Sequence, residues 1–293
     1  CFLVVLPDWY VKRAKAGAVE SLMESKNEDE SARGKPNKDD LVASPMMTTA
    51  ILVAGGHGSR LYPFTRYTQK TLLPLYNRPV IDFALGTIRR AGIKDITIIS
   101  NEFIGQIAQH IGAGFEGEKI HYVLEEEPRG VAAALNLARP YNEDCRVLVY
   151  FSDNITTLEL KEEVTRFNTS EVSPGCVLLA REEEHPEAFG VAVVDDAGTI
   201  TDIVEKPQNP PSNLAIGGIY LFDEHFWEYL DHAVEEHGVS VSISDITRQY
   251  VHQGKAKLLS VGQETWVDCG TPDSLLLASQ MVKDGKLNPN PHR

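Results

Sequence analysis

An apolar run that ends in a glycine-rich loop is the feature that most constrains the fold of this chain. Residues 50–54 lead directly into Gly55-Gly56-His57-Gly58-Ser59-Arg60. Such a run is typical of a buried strand, and glycines let backbone N–H groups approach an anion closely. Lys70 lies ten residues after Arg60, and these two cations suit phosphate oxygens. The pattern predicts a strand that leads into a polyphosphate-binding loop.

Two better-known glycine loops do not match this segment. A P-loop requires G-x-x-x-x-G-K-[ST], and no lysine follows a glycine at that spacing here. A dinucleotide fingerprint requires G-x-G-x-x-G at the start of a helix. Here Gly56-x-Gly58 is followed by Arg60 and Leu61, and Pro63 disfavours an immediate helix. The mismatch disfavours a dinucleotide-dependent oxidoreductase.

Strand-like and helical patterns alternate after this loop. Apolar runs between turn residues predict strands at 50–54, 96–99, 120–124, 147–151, 176–180, 190–194, 200–204 and 215–222. Apolar residues at helical spacing predict helices at 79–91, 103–111, 130–138, 158–167, 223–233 and 244–252, the last capped by Ser244. This alternation predicts an α/β fold with a mostly parallel sheet.

Composition limits the kinds of partner. The formal net charge is −14, and residues 1–46 carry seven basic and eight acidic side chains, so nearly all of the excess lies in the remainder. An acidic body is a poor match for a nucleic acid polymer, which calls for a basic face. No apolar run approaches the roughly 18 residues of a membrane span, so we expect no membrane partner. The cations near the glycine loop leave a small anionic ligand possible.

The cysteines and the termini complete the domain prediction. Four scattered cysteines fit neither a disulfide framework nor a CxxC metal site, and we expect a cytoplasmic protein. Residues 11–44 lack periodicity and are rich in charged residues, serine and asparagine, so we predict that residues 1–46 form a disordered leader of uncertain origin. We predict one domain at 47–285 and a flexible tail at 286–293.

Two aspartates are candidate metal ligands. Asp153 follows the predicted strand 147–151, and ligands of open parallel sheets lie at the carboxyl ends of strands. A carboxylate there suits Mg²⁺, which takes few protein ligands together with substrate phosphates. The alternative is that Asp153 only caps the next segment. Asp268 lies in Trp266-Val267-Asp268-Cys269-Gly270-Thr271, and its alternative role is to cap a helix that begins at Pro272.

The full pattern around the loop, GGxGSRLxPxT(x4)KxLLPLxNRPxI, resembles the signature of the sugar-1-phosphate nucleotidyltransferases. The resemblance covers roughly residues 48–280 and is greatest to the short glucose-1-phosphate thymidylyltransferases. It implies a Rossmann-like three-layer α/β/α fold with a mostly parallel mixed sheet. It also implies that a sugar 1-phosphate, of which glucose 1-phosphate is the first expectation, attacks the α-phosphate of an NTP, first dTTP. The products are an NDP-sugar and pyrophosphate.

The resemblance also implies site residues. The triphosphate is expected on Arg60 and Lys70, and Mg²⁺ on Asp153 and Asp268. The nucleotide is expected to contact Ala54, Gly55, Gly56, Gly58, Ser59, Glu125 and Gly130. The EKP motif and the segments around it place the sugar phosphate on Phe189, Gly190, Glu205, Lys206 and Ile216.

Several positions depart from the family pattern. Glu125 stands where thymidylyl- and uridylyltransferases carry glutamine, and its carboxylate offers only acceptors. It would suit adjacent donors, as on guanine or cytosine, unless it points elsewhere in the acidic run 125–127. Gly217 replaces a threonine and Ser242 replaces a glutamate, so glucose is not assured. Only 22 residues follow Thr271, which puts the family's tetramer and allosteric site in question and leaves a homo-oligomer as a possible partner state.

Two alternative functions stay open at this point. One is the same reaction with GTP, CTP or UTP and another sugar. The other is a catalytically silent homologue that senses nucleotide sugars, which the changes at 125, 217 and 242 permit. The presence of Lys70, Asp153, Lys206 and Asp268 argues against the second alternative.

Overall fold

The computed structural model describes residues 47–170, 173–238 and 241–288. The leader predicted at 1–46 lies outside the described residues. Within the predicted tail at 286–293, Leu287 is buried against the last helix of the domain. The bounds of the leader, domain and tail stay predictions.

The described part of the chain contains thirteen strands and seven α-helices. The strands are β1 (Thr48–Val53), β2 (Pro74–Leu75), β3 (Arg78–Pro79), β4 (Asp95–Ser100), β5 (Lys119–Leu124), β6 (Arg146–Phe151), β7 (Asn154–Thr156), β8 (Cys176–Glu182), β9 (Gly190–Val194), β10 (Ile200–Glu205), β11 (Leu214–Phe222), β12 (Ala256–Ser260) and β13 (Trp266–Asp268). The helices are α1 (Val80–Arg90), α2 (Ile104–Ile111), α3 (Val131–Asn142), α4 (Lys161–Thr169), α5 (Phe226–His237), α6 (Ile243–His252) and α7 (Pro272–Lys283).

The central sheet is mixed and mostly parallel. Its strands run in the order β5-β4-β1-β6-β11-β8-β12, and β11 is antiparallel to both of its neighbours β6 and β8. The antiparallel pair β9 and β10 extends from the first part of β11. The predicted α/β class and the mostly parallel sheet are therefore confirmed.

Helices cover both faces of this sheet and form two cores. Alternate residues of β1 face opposite sides: Ile51 belongs to the core under α3, α5 and α6, whereas Leu52 belongs to the core under α1, α2 and α4. The same alternation places Val149 and Tyr150 of β6 in the two different cores. A central strand that is apolar on both sides is what a sheet between two helical layers requires. The predicted three layers are confirmed.

Two short features outside the regular sheet position the site. The strands β7 and β13 pair in antiparallel fashion, with Asn154 opposite Asp268. In β11, the register against β8 shifts between Ile216 and Tyr220, and the extra residues include Gly217 and Gly218. Bulges of this kind re-aim side chains at the edge of a site. Both features lie beside the carboxyl end of β6.

The predicted cap of α6 is wrong. The helix begins at Ile243, and Ser242 is its N-cap: Ser242 Oγ accepts from the Asp245 N–H at 3.2 Å, and the Asp245 carboxylate accepts from the Ser242 N–H at 2.9 Å. Ser244 lies inside the helix. This reciprocal pair is a capping box, and it outweighs the capping tendency of a serine two residues later.

Several element ends differ from the prediction. The helix predicted at 158–167 begins at Lys161, that at 223–233 begins at Phe226, and that at 130–138 continues to Asn142. The strands β2, β3, β7, β12 and β13 were not predicted. Four of these strands have only two or three residues, too few to show a period, whereas β12 has five. None of the helices in the described ranges is long and apolar enough to cross a membrane.

Candidate active site

The glycine loop after β1 is shaped by two close approaches. Gly58 has φ 61°, a left-handed conformation that favours glycine, and its carbonyl accepts a hydrogen bond from Thr65 Oγ1 at 2.9 Å. Gly55 lies against Glu125, and a Cβ on Gly55 would come 2.3 Å from Glu125 Oε2. The Glu125 carboxyl therefore occupies the space in which a side chain at position 55 would lie. Ala54 at the strand end is fully buried.

Lys70 reaches the centre of the site from a short 3₁₀ turn, Lys70–Leu72. Its ammonium forms an ion pair with Asp153 Oδ2. The side chain of Gln69 caps this turn and contacts the Ala54 carbonyl. Gln69 is almost completely buried and fixes the loop that carries Lys70. We did not predict its role, because a single polar residue in a loop carries no pattern.

The two candidate metal ligands lie together. Asp153 follows β6, and the pairing of β7 with β13 brings Asp268 beside it; the Cys269 N–H donates to the Asp153 carbonyl at 2.8 Å. Burial and the neighbouring Asp153 carboxylate raise the pKa of Asp268, against the opposing effects of Lys70 and Arg60. The Arg60 guanidinium lies beside Gly270, where a Cβ would come 2.5 Å from Nη2. Both aspartates and both predicted cations therefore form one cluster.

The structure excludes the alternative in which the two aspartates only cap helices that follow them. The N-cap of α7 is Thr271, whose hydroxyl accepts from the Ser274 N–H at 3.2 Å, so Asp268 does not cap that helix. The segment after Asp153 is a strand and not a helix. Neither carboxylate caps a helix: Asp153 pairs with Lys70, and Asp268 Oδ1 accepts from the Gly270 N–H at 2.9 Å.

The donor set fits Mg²⁺. In the described ranges no group of three or more metal-ligating side chains is found, so the protein offers two hard carboxylates and no closed cage. Mg²⁺ is commonly held by one or two carboxylates plus substrate phosphates. The proximity of two like charges, which raises the pKa of Asp268, is relieved by a divalent cation between them. Nearby Cys269 is soft and buried, and it does not suit this ion.

One cavity of about 230 Å³ adjoins the cluster on the side of β1 and α3. It is lined by Val53, Gly55, Gly56, His57, Lys70, Glu125, Pro128, Gly130, Val131, Ala134, Phe151 and Asp153. We call it the nucleoside cavity. Of the predicted nucleotide-binding residues, Gly55, Gly56, Glu125 and Gly130 lie in its wall. The other three do not line it: Ala54, Gly58 and Ser59.

A second cavity of about 220 Å³, which we call the sugar cavity, lies on the side of β9, β10 and β11. All five residues predicted for the sugar phosphate line it: Phe189, Gly190, Glu205, Lys206 and Ile216. Glu205 accepts a hydrogen bond from Ser244 Oγ at 2.6 Å. Lys206 has φ 44°, and its Nζ lies 3.6 Å from Glu205 Oε1.

Sequence reasoning missed two residues of the sugar cavity's surroundings. Trp266 Nε1 donates to Asn154 Oδ1 at 2.8 Å, and Asn154 Nδ2 donates to Asp153 Oδ1 at 3.0 Å. The indole also explains Gly217, because a Cβ at 217 would come 1.7 Å from Trp266 Cη2. Gly217, at the position of the threonine in the family pattern, thus packs directly against the Trp266 ring. Only the tryptophan's position in its motif could have indicated this contact.

The two cavities meet at the cluster of charged groups. Phe151 and Asp153 line both cavities, and Asp268 lines the sugar cavity. A phosphoryl group placed between the two would lie against Asp153, with Lys70 on the same carboxylate. Two ligands can therefore meet at one point.

Comparison with known proteins gives consistent matches. The family model described as Nucleotidyl transferase matches residues 49–285. A low-salt glycan biosynthesis nucleotidyltransferase of Haloferax volcanii is 32% identical over 238 residues, which cover 80% of this chain and 66% of that protein. A glucose-1-phosphate thymidylyltransferase of Neisseria meningitidis is 32% identical over 241 residues, 80% of this chain and 82% of that one.

Solved structures agree in fold. A candidate glucose-1-phosphate thymidylyltransferase from Bacillus anthracis superposes with a TM-score of 0.76 at 32% identity, covering 81% of this chain and 96% of that one. A UDP-glucose pyrophosphorylase superposes with a TM-score of 0.69 at 20% identity, covering 82% and 100%. At this lower identity the likeness concerns the fold alone.

Proposed function

The chain belongs to the nucleotidyl transferase family of enzymes, and from this premise we propose that it joins a sugar 1-phosphate to a nucleoside triphosphate, releasing pyrophosphate. We propose glucose 1-phosphate and dTTP as the first substrates to test, since relatives at about 30% identity carry the name glucose-1-phosphate thymidylyltransferase. The family expected from the sequence is confirmed. The choice of sugar and base is a proposal.

The observation that supports this reaction is that Asp153 lines both cavities. A transfer between two substrates requires that the attacking and the attacked groups meet in one place and in line. The nucleoside cavity would hold the NTP, and the sugar cavity would hold the sugar 1-phosphate. Their shared wall, next to Lys70 and Asp268, is where the α-phosphate would be attacked.

Each proposed role in substrate binding follows from the charge of a side chain and the cavity that it lines. The nucleophile is a phosphate oxygen that is already ionised at neutral pH, so no general base is required. Lys206 would hold the sugar phosphate at the mouth of its cavity, and Glu205 would accept hydrogen bonds from sugar hydroxyls. Arg60 and Lys70 would bind the triphosphate and stabilise the charge that develops on the leaving pyrophosphate.

Asp153 and Asp268 are the residues that would hold Mg²⁺. The bound ion would neutralise charge on the reacting phosphoryl group. In its absence the two carboxylates would repel both the triphosphate and each other. Lys70 pairs with Asp153, and in the proposed reaction its ammonium would contact the triphosphate.

The experiment that tests this function is pyrophosphate release from the purified chain with Mg²⁺. dTTP, UTP, CTP, GTP and ATP are crossed with a panel of sugar 1-phosphates, and EDTA is the blank. We expect turnover with at least one pair and none in EDTA. Silence across the panel, with nucleotide binding still detected by thermal shift, would contradict the enzyme and favour a nucleotide-sugar sensor.

The metal assignment has its own test. Asp268→Ala is expected to lower kcat/KM by on the order of 100-fold or more, because a group that stabilises developing charge is lost. Asp196→Ala, in an exposed turn, removes the same charge far from any proposed ligand and serves as the control. Turnover of Asp268→Ala within a few-fold of the parent would show that Asp268 does not hold the ion.

Two further proposals concern the cellular location and the oligomeric state of the enzyme. The three cysteines in the described ranges are free thiols, which agrees with a reducing compartment, and we propose a cytoplasmic location. Homo-oligomerisation stays a prediction, and size-exclusion chromatography with light scattering would test it.

A further inference from the structure

Arg181 makes four contacts beside the sugar cavity, and its side chain is 19% exposed. It extends from β8: Nη1 donates to the Trp266 carbonyl at 2.5 Å, and Nη2 lies 2.5 Å from Glu183 Oε2. The guanidinium carbon lies 5.5 Å from the centre of the Phe189 ring and 5.8 Å from that of the Trp266 ring. These distances allow cation–π attraction to both rings. One guanidinium therefore joins β8 to two aromatic side chains from other segments.

Both of these rings belong to the surroundings of the sugar cavity. Phe189 lines the cavity, and the Trp266 ring packs against Gly217, which lines it as well. Arg181 does not line the sugar cavity but lies in the wall of a third cavity, of about 460 Å³, together with Trp266 and Glu183. Any effect of Arg181 on a bound sugar would therefore pass through the rings.

The position of Phe189 also affects the cation proposed for the sugar phosphate. The Lys206 N–H donates to the Phe189 carbonyl at 2.9 Å, and the next residue, Gly190, pairs with Glu205 across β9 and β10. The EKP motif is thus attached to the segment whose ring Arg181 contacts. Phe189 is only half-buried, and a side chain that is fixed before binding loses less conformational entropy when a ligand arrives.

We propose that Arg181 is a positioning residue for the sugar 1-phosphate: it fixes the Phe189 ring, and with it the EKP segment, in the geometry that binds this substrate. This proposal rests on the proposed function, because it assumes that the sugar cavity holds a sugar 1-phosphate. Position 181 lies outside the motifs that carry the family resemblance. The planar guanidinium suits the role, since it can donate to a carbonyl and a carboxylate while its face lies against a ring. The ammonium of a lysine cannot do all three together.

Arg139 offers a matched control elsewhere in the molecule. Its Nη2 donates to the Trp227 carbonyl at 3.2 Å and lies 2.7 Å from Asp231 Oδ2, and its guanidinium carbon lies 5.2 Å from the centre of the Trp227 ring. Arg139 therefore has the same kinds of contact as Arg181: a tryptophan carbonyl, a tryptophan ring and a carboxylate. It lines neither the nucleoside cavity nor the sugar cavity.

The test compares Arg181→Met and Arg181→Lys with Arg139→Met in steady-state kinetics and thermal unfolding. The substrates are the most active NTP and sugar 1-phosphate in the pyrophosphate-release panel. For both Arg181 variants we expect the KM for the sugar 1-phosphate to rise by on the order of 10-fold, the loss of a desolvated cation–π contact, with little change in the KM for the NTP. Arg139→Met should lower Tm and leave both KM values unchanged.

Two other roles for Arg181 predict different results. If its charge only attracts the anionic substrate, Arg181→Lys would keep the KM of the parent and Arg181→Met would not. If Arg181 only stabilises the fold, both of its variants would lower Tm and leave the KM for the sugar 1-phosphate unchanged, as Arg139→Met does. Either result overturns the proposal.

A double-mutant cycle identifies the group through which Arg181 acts. Phe189→Leu removes the aromatic ring, so in that background Arg181→Met should have little further effect on the KM for the sugar 1-phosphate. If the two single effects on this KM simply multiply, Arg181 does not act through Phe189, and the proposal is overturned.

The outcomes separate this proposal from the proposed function. Calorimetric titration with glucose 1-phosphate, and then with the rest of the sugar 1-phosphate panel, measures the same loss of affinity without turnover. A loss in both Arg181 variants of a chain that releases no pyrophosphate supports the positioning role and contradicts the enzyme. Pyrophosphate release with unchanged KM values overturns the positioning role alone. A chain that binds no sugar 1-phosphate overturns both.

Discussion

The nucleoside cavity and the sugar cavity have similar volumes but are built in different ways. In the nucleoside cavity the distinguishing side chain, Glu125, has no partner among the described residues, and glycine backbone faces it. In the sugar cavity the polar side chains are already engaged: Glu205 with Ser244, and Asn154 with Trp266. Protein neighbours therefore hold these polar side chains of the sugar cavity in place, whereas no described protein group binds the Glu125 carboxyl of the nucleoside cavity.

The largest loss of activity among the variants that test the difference between the cavities is expected at Lys206, the most exposed charged residue of the sugar cavity. Lys206→Ala and Lys206→Gly remove the same charge, and both should lower kcat/KM by on the order of 100-fold, because the sugar phosphate loses its counter-charge. Their stabilities should differ. Lys206 has φ 44°, which glycine adopts without strain, so the glycine variant should be more stable by roughly 1 kcal/mol.

Urea denaturation of the two Lys206 variants measures the backbone contribution separately from the charge. Equal stabilities would show that the left-handed backbone costs nothing here. Full activity in both variants would remove Lys206 from the proposed sugar-phosphate site.

The second effect concerns the contact between Gly217 and the Trp266 ring beside the sugar cavity. Gly217→Ala should destabilise the chain by about 1–3 kcal/mol, since the new Cβ would overlap the Trp266 ring. Trp266→Leu removes the ring atoms at that point, so the double variant should lose less than the sum of the two single losses. A double-mutant cycle by urea denaturation gives this coupling. If the two single losses of stability simply add, position 217 and Trp266 do not interact, and the wall of the sugar cavity is not held in place by that contact.

The smallest effect distinguishes two serines that lie two positions apart. Ser244→Ala removes the hydrogen bond to Glu205, so the KM for the sugar 1-phosphate should rise a few-fold, about 1 kcal/mol, with little change in stability. Ser242→Ala removes the N-cap of α6 and should cost about 1 kcal/mol of stability with an unchanged KM. Identical behaviour of the two variants in both assays would mean that the two roles are not separate.

Much of the fold and of the cluster could be predicted from local patterns. The buried strands β1 and β6 are apolar on both faces, and the strand-end rule places the glycine loop and Asp153 at one edge of the sheet. The structure brings Lys70 and Asp268 to that edge as well. The roles of these residues stay predictions until variants are measured.

What could not be predicted depends on contacts between distant segments. Trp266 packs against Gly217 and donates a hydrogen bond to Asn154, which lies 112 positions earlier in the chain. No local periodicity in the sequence predicts these two contacts. Within the acidic run 125–127, it is the family resemblance and not a local pattern that singles out Glu125, the one of the three that is buried and lines the cavity. A cap two residues from the expected one was missed because either serine satisfies the local rule.

The pairing of β7 with β13 sets an order of events during synthesis of the chain. The strand that carries Trp266 and Asp268 is translated long after its partner, since Asn154 and Trp266 are 112 positions apart. A nascent chain that has emerged only through β11 already contains every residue that lines the nucleoside cavity. It still lacks the second carboxylate and the aromatic wall. The residues that line the nucleoside cavity are therefore all synthesised before Asp268 completes the lining of the sugar cavity.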